Sequence, residues 1–400
     1  MKAGWELKKL GDVLQKTETV NPLQLPNTEF YYVDVSSVSN ETFQIESTQQ
    51  LIGNDAPSRA RRLIKTNDIL FATVRPTLQR IAIVPEYLNN QVCSTGYFVL
   101  RPKNEMDYRF VFYFLFSKVF MEQMEALQKG ASYPAVTDGE VRSQIIPLPP
   151  LPEQQRIVAI LDKAFENIAI AKANAEQNLK NARELFESYL QSVFTQKSEG
   201  WTEKTLGEMA TFRNGINFTK SSKGESIKIL GVKDFKNYYW APLEDFESVI
   251  PDGNLPDLDL LKQNDLVFVR SNGNPELIGR CLLVGEVKEK ITHSGFTIRA
   301  RLNSLELEPN YLCHFLKSNK VRREMIDGGN GASIRSLNQG TLSGLVIPFP
   351  VSLKEQALIV KQLELIQEKT QHLESIYQQK IAALDELKKS LLHKAFNGEL

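Results

Sequence analysis

The sequence predicts an α+β protein: two similar globular domains separated by two long helices that form an antiparallel coiled coil, with a pseudo-twofold relation between the halves. Three observations predict this. Short motifs recur in the same order with an offset that drifts only from 196 to 202 residues. Glu153 to Gln196 and Ser352 to Asn397 contain neither Pro nor Gly. Elsewhere, β-branched and aromatic residues alternate with polar ones between Asn, Asp, Gly and Pro punctuation, which reads as strands and turns.

The repeat comes first, because it fixes the domain count. "GWELKKLGD" (Gly4 to Asp12) returns as "GWTEKTLGE" (Gly200 to Glu208), and "KTNDILF" from Lys65 returns as "KQNDLVF" from Lys262. Arg75 and Arg270 follow these two stretches. "RIAIVPE" matches "RCLLVGE", "STGYFVLR" matches "HSGFTIRA", "FLFS" matches "FLKS", and "GAS" recurs at Gly130 and Gly331. "IIPLP" at Ile145 matches "VIPFP" at Val346. The expected segments are a first domain over 1–150, a spacer helix over 151–197, a second domain over 198–350 and a second spacer helix over 351–400. Within a domain, "LIKTNDILFATV" reads as strand, turn, strand. "YRFVFYFLFSKVFMEQMEALQ" and its counterpart "PNYLCHFLKSNKVRREMID" each read as one helix.

Each long segment carries its own seam. At 1.5 Å per residue, 44 helical residues would run about 66 Å, far beyond an ordinary globular helix. Leu161, Ala164, Ile168, Ala171, Ala175, Leu179, Ala182, Phe186, Tyr189 and Val193 follow steps of three and four, with one stutter after Ala175. The second helix gives Leu363, Ile366, Thr370, Leu373, Tyr377, Ile381, Leu384, Lys388, Leu391 and Ala395, with the stutter expected at the corresponding place, after Tyr377. Such a pattern predicts coiled-coil partners. Antiparallel pairing would bring the closing "KAFNGEL" back to the opening "KAGW". "PLPPLPEQQ" marks the entry to the first helix: proline fixes φ and Glu153 favours the helix dipole. The second entry, "PFPVSLKEQ", has fewer prolines and is expected to be looser.

Composition and motifs exclude more than they select. A chain that is 42% apolar and 24% charged is an ordinary globular one, and its Lys plus Arg count equals its Asp plus Glu count. Nucleic-acid binding must then rest on local patches or on a partner's charge. No signal-peptide core or membrane span is evident, and Cys93, Cys281 and Cys313 have no CxxC spacing, so a cytoplasmic protein with packed thiols and no metal site is expected. GxxxxGK[ST], HExxH and GxSxG patterns are absent, as is an adenine-methyltransferase [DNS]PP[YFW] signature. Asp252, Glu286 and Lys288 imitate a nuclease triad, but the first repeat has "PEYLNN" there, without the lysine. His293 reads as a strand residue. No catalytic residue is expected.

The sequence resembles the specificity subunits of type I restriction-modification enzymes. The resemblance lies in "PLPPLPEQQRIVAILD" leading into a long helix, in the "GWELKKLGD" and "GWTEKTLGE" pair, in "NDILF...VRP", "STGYFVLRP" and the terminal "LLHKAFNGEL", and it covers essentially the whole chain. It implies two target-recognition domains, each reading one half of an asymmetric, interrupted double-stranded DNA sequence. It also implies docking of two methyltransferase subunits and, optionally, restriction subunits. Cofactors would then sit on those partners, S-adenosylmethionine on the methyltransferase and ATP with magnesium on the restriction subunit, with none in this chain.

Two competing readings remain: a coiled-coil adaptor that binds proteins, and a nuclease using Asp252, Glu286 and Lys288. For DNA contacts, arginines suit guanine and amides suit adenine. The first domain offers Arg59, Arg61, Arg62, Arg75, Gln79, Arg80, Ser132 and Tyr133. The second offers Lys220, Lys223, Arg270, Asn272, Asn274, Arg280, Asn330, Ser333, Arg335 and Asn338.

Overall fold

In this computed structural model the described residues are 4–195, 199–219, 221–235, 241, 246–327 and 336–400. Two compact units divide the chain, and they are not collinear with it. One comprises Met1–Glu176 with Gln379–Leu400, the other Gln177–Gln378. Each unit therefore holds one globular module, the start of one long helix and the end of the other.

The first module contains β1 (Glu6–Lys9), β2 (Glu29–Val33), β3 (Gln49–Ile52), β4 (Ala60–Ile64), β5 (Ile69–Ala72), β6 (Ile81–Ile83), β7 (Gln91–Ser94) and β8 (Tyr97–Leu100). Helices α1 (Tyr108–Phe114), α2 (Lys118–Leu127) and α3 (Asp138–Arg142) precede β9 (Ile145–Leu148) and the long α4 (Leu151–Thr195). The sheets run β3-β2-β7-β4 and β6-β5-β8, and β1 pairs with β9. β5 is buried on both faces: Ile69 and Phe71 join the helix-side core, and Leu70 and Ala72 join the core on the other side. That explains why "ILFA" is continuously apolar rather than alternating.

The second module repeats the plan. β10 (Trp201–Thr205), α5 (Leu206–Met209), β11 (Ala210–Asn214), β12 (Ile227–Leu230), β13 (Glu247–Val249), β14 (Leu266–Val269), β15 (Cys281–Leu283), β16 (Ile291–His293) and β17 (Thr297–Leu302) are followed by α6 (Pro309–Lys317), α7 (Asn319–Asp327), α8 (Gln339–Ser343), β18 (Val346–Pro350) and the long α9 (Leu353–Asn397). Its sheets are β11-β17-β14-β15, β13-β12-β16 and β10-β18.

Strand register corrects the alignment of the two copies. Leu70 pairs with Val99 and Ala72 with Tyr97, whereas Val267 pairs with Arg299 and Val269 with Thr297. "STGYFVLR" thus corresponds to "SGFTIRAR", one residue later than the sequence match. The helix expected as one piece in each module is two. Ser117 is extended, and its Oγ accepts from the Phe120 amide to start α2; Ser318 is likewise extended between α6 and α7. A serine hydroxyl offers the backbone a cap in place of the next helical turn. The "FLFS" and "FLKS" match marks this break.

The turn motif "ND" carries the framework of each module. Asn67 and Asn264 both take φ of 69°, a left-handed conformation that Asn tolerates. Asp68 accepts from the Lys65 amide and Asp265 from the Lys262 amide, so each carboxylate closes its own turn. The same carboxylates, almost fully buried, take two-point contacts from Arg101 and Arg301 respectively. The corrected register places these two arginines at equivalent positions. Glu18 is a second carboxylate partner of Arg101.

Both long helices enter through the same joint. Gln154, in the first turn of α4, is buried; its Oε1 accepts from the Asp107 amide at 2.9 Å and its Nε2 donates to the Pro149 carbonyl at 2.9 Å. Gln356 in α9 repeats this with the Glu308 amide and the Pro350 carbonyl, both at 2.8 Å. Asp107 and Glu308 cap α1 and α6, so each glutamine ties a long helix to the start of a module helix. The second entry was expected to be looser, with fewer prolines; it holds the same bonds, because the anchoring is done by glutamine.

The far end of each helix grips a module as well. Phe396 of α9 packs edge-on against Phe114 and tilted against Phe110, while Phe194 of α4 packs edge-on against Tyr311 and Phe315. Within the first unit Arg156 donates to the Leu400 carbonyl and Lys172 pairs with Asp385. Within the second, Arg183 pairs with Glu374, and Leu190 and Phe194 share a core with Val360 and Leu363. In each unit numbers rise along α4 as they fall along α9, so the pairing is antiparallel.

The seam residues follow the helical phase with one correction. Leu161, Ile168, Ala175, Ala182, Leu363, Thr370 and Ala395 are buried; Ala164, Ala171, Leu179, Phe186, Ile366, Tyr377, Ile381, Leu384 and Leu391 are half-buried. Leu373 stays 36% exposed. Half-buried Glu374, paired with Arg183, occupies the seam there instead, which moves the two consecutive steps of four to Ile366, Thr370 and Glu374, ahead of the expected stutter. The two polar seam positions also resolve. The Thr370 hydroxyl donates back to the Ile366 and Gln367 carbonyls, and the Lys388 ammonium lies 5.0 Å from the Phe43 ring and 5.2 Å from the Phe165 ring.

Candidate nucleic-acid interface

In the first module the edge beyond β5 is a loop clamped by backbone hydrogen bonds. The Thr73 amide donates to the Gly96 carbonyl, the Val136 amide donates to the Thr73 carbonyl, and the Arg75 amide donates to the Pro134 carbonyl. Thr73 Oγ1 adds a second bond to the Gly96 carbonyl. The segment around Ser132 and Tyr133 closes on itself through paired bonds between Lys129 and Ala135. Four of the expected contact residues meet here: Arg75, Gln79, Ser132 and Tyr133. Arg75 and Gln79 bracket a 3-10 turn at Pro76–Leu78, both left-handed, with φ of 51° and 53°. Non-glycine residues in that region cost about 1–3 kcal/mol each and collect at functional sites.

The Arg75 side chain is exposed, yet it is oriented. Its guanidinium carbon sits 4.9 Å from the Tyr133 ring centroid, and Nη2 donates to the Ser132 carbonyl at 3.1 Å. Tyr133 itself is 71% exposed. The remaining arginines of this module sort differently. Arg62 pairs with Asp138 at 2.7 Å, and Arg61 donates to the carbonyl of Ala60 beside it. Arg80 donates to the Val38 and Ser36 carbonyls and so braces the turn after β2. Arg59 is exposed.

In the second module the equivalent loop is built by the same bonds: the Arg270 amide donates to the Phe296 carbonyl, and the Leu337 amide donates to the Arg270 carbonyl. Arg270 therefore stands where the first module has Thr73, and it is not the counterpart of Arg75, a pairing that the sequence suggests. Asn272 occupies the Arg75 position. Its Oδ1 accepts from the Asn274 amide, and Asn274 Oδ1 in turn accepts from the Glu276 amide. Arg280 donates to the Phe235 carbonyl, which matches Arg80 and Val38. Asn338 caps α8 through the Thr341 amide, and Lys223 is exposed. Lys220, Asn330, Ser333 and Arg335 lie outside the described residues.

Beside that loop is a buried polar group with no counterpart in the first module. His293 lies on β16, with Nδ1 3.0 Å from Thr297 Oγ1, and burial holds its pKa down at about 3. Arg299 donates to the Leu258 carbonyl, and Arg213 pairs with Asp259. Among the described residues no cluster of acids, histidines and cysteines suits a metal, and Glu286 and Lys288 are exposed. The three cysteines are buried and form no disulfide. No described helix is long and apolar enough to cross a membrane.

Sequence reasoning missed the residues that hold these surfaces in place: Asp68 with Arg101, Asp265 with Arg301, Gln154 and Gln356. All but Arg301 lie inside the recurring motifs, so recurrence of a polar residue at an otherwise apolar boundary was the available signal for the aspartates and glutamines, while the Arg101–Arg301 equivalence emerges only from the strand register.

One framework, built twice, carries different polar side chains at the same edge, Arg75 in one copy and Asn272 in the other, and that defines a duplicated recognition protein. The model of the type I restriction modification DNA specificity domain matches residues 2–181 and again 198–382, and the chain belongs to that family. Among its relatives, the specificity subunit of the type I restriction enzyme StySPI of Salmonella potsdam is 26% identical over 332 residues, which span 77% of this chain and 69% of that one. The EcoKI specificity subunit of Escherichia coli strain K12 is 27% identical with the same coverage. Among solved structures, the HsdS subunit from Thermoanaerobacter tengcongensis aligns with a TM-score of 0.70 at 29% identity, covering 100% of this chain and 98% of that one. A chain from a structural study of complex assembly and conformational transition in the type I R-M system aligns at 0.86 with 28% identity, covering 100% and 99%.

Proposed function

We propose that this chain is the DNA sequence-specificity subunit of a type I restriction-modification system and acts in the cytoplasm without catalysing a reaction itself. Each module reads one half of an asymmetric, interrupted target on double-stranded DNA. The paired helices set the spacing between the halves and dock two methyltransferase subunits and, where one exists, a restriction subunit. S-adenosylmethionine, and ATP with magnesium, are bound by those partners. The observation that carries this reading is the duplication itself: the Asp–Arg pair, the glutamine joint and the aromatic grip recur bond for bond, while Arg75 and Asn272 differ at the same place.

Two further features support it. Zero net charge makes the isolated chain a weak polyanion binder, so partners that close around the duplex supply much of the electrostatic affinity. Exposed apolar side chains on the long helices, Leu358, Leu365 and Ile376 in one unit and Ile170 and Leu387 in the other, provide contact surface for such partners. Methylation mapping by sequencing, in cells that carry this chain with its methyltransferase, tests the reading. A split motif with two unlike halves is expected. An uninterrupted motif, or methylation without sequence dependence, would refute it.

A further inference from the structure

We infer that Arg75 is the side chain with which the first module selects a guanine in its half of the target, held in plane by Tyr133. The inference rests on the DNA-recognition reading above and adds to it the residue, the base and the base edge. Availability comes first. Among the described residues Arg75 has no carboxylate partner, whereas Arg62, Arg101 and Arg109 all do. Arg80 is spent on backbone carbonyls and Arg61 on the neighbouring one. Among the described residues only Nη2 of Arg75 is committed, to the Ser132 carbonyl, and the residue is exposed, which leaves the other N–H groups of the fork for a ligand.

Geometry then separates base reading from phosphate binding. A phosphate contact needs a positive charge nearby and tolerates a mobile side chain. A bidentate contact to guanine O6 and N7 needs the plane of the guanidinium fixed. Arg75 has that fixation from three directions: the ring of Tyr133 at 4.9 Å, the Ser132 carbonyl, and a left-handed backbone locked by the Pro134 carbonyl at 2.6 Å. Stacking an exposed arginine on an exposed tyrosine orients it without hiding it. The second module places Asn272 at this position, with its oxygen used in a local turn, so among the described residues no arginine stands there.

The test uses the assembled methyltransferase complex and the methylation motif of each variant. Arg75→Lys keeps the charge but loses the fork, and Arg75→Asn suits the left-handed backbone but loses the reach. Both should abolish the preference for one guanine in one half of the motif, with discrimination at that position falling roughly tenfold to a hundredfold and the other half unchanged. Tyr133→Leu should relax the same position less. Intact reading of the other half shows that the variant complex is folded. An unaltered motif, equal weakening on all sequences with a shallower salt dependence, or loss of both halves together would each overturn the assignment. A wild-type complex with no split motif would instead overturn the underlying DNA-recognition reading.

Discussion

The two modules agree in their interior polar bonds and disagree at their exposed edge. Asp68 and Asp265 close the same turn and hold equivalent arginines; Gln154 and Gln356 make the same bonds; Arg80 and Arg280 brace the same turn. Yet Thr73 corresponds to Arg270, and Arg75 to Asn272. The difference teaches where change is tolerated. Buried polar groups with several partners are costly to alter, while the loop end they support is free to vary.

The largest effect that sharpens this comparison should come from the paired carboxylates. Asp68→Ala and Asp265→Ala each remove the two-point partner of a largely buried arginine, and breaking such a pair costs about 3–5 kcal/mol. Denaturant unfolding should show losses of similar size in both variants. A large loss in only one would mean that the modules do not share a framework in the energetic sense.

Acid should then split the modules apart. Burial holds His293 at about 3 and His314 at about 4, against 6.5 for an ordinary histidine, and both belong to the second unit. Between those values and 6.5 the unfolded chain binds more protons than the folded one. Their contribution is therefore complete above pH 6.5 and is lost as pH falls toward 3, on the order of a few kcal/mol in total. In the first unit Glu18, held at about 2 by Lys65 and Arg101, keeps its contribution until the pH drops below the ordinary carboxylate value of 4.5. Hydrogen exchange across a pH series should show the second unit loosening first. Simultaneous loosening would count against these histidines.

Smaller effects belong to the joints. Gln154→Ala and Gln356→Ala each leave a buried amide and carbonyl unsatisfied, for about 1–3 kcal/mol apiece, nearly equal in the two units. Lys388→Met should cost only about 0.5–1 kcal/mol and act in the first unit alone, where Phe43 and Phe165 face it. Melting of the three single variants checks both expectations.

Much of the fold was legible because duplication and helical period are written in residue type. Long stretches free of Pro and Gly announced the helices, and "IIPLP" announced their entry. What the sequence concealed were choices made by single polar bonds. Ser117 breaks a helix that its neighbours favour, and Glu374, paired with Arg183, stands in the seam where Leu373 was expected. Of the expected contact residues, Arg75, Gln79, Ser132 and Tyr133 come together because backbone pairing folds two distant loops onto each other. Arg62 and Arg80 turn inward to partners, Asp138 and Val38, that lie too far along the chain for local pattern to reveal.

The central claim is that one framework carries two independent reading surfaces. The most direct measurement replaces residues 1–150 with the equivalent module of a relative of different specificity and maps the methylation motif of the resulting complex. The account predicts that one half of the motif changes while the other half stays as it was. A change in both halves would contradict it.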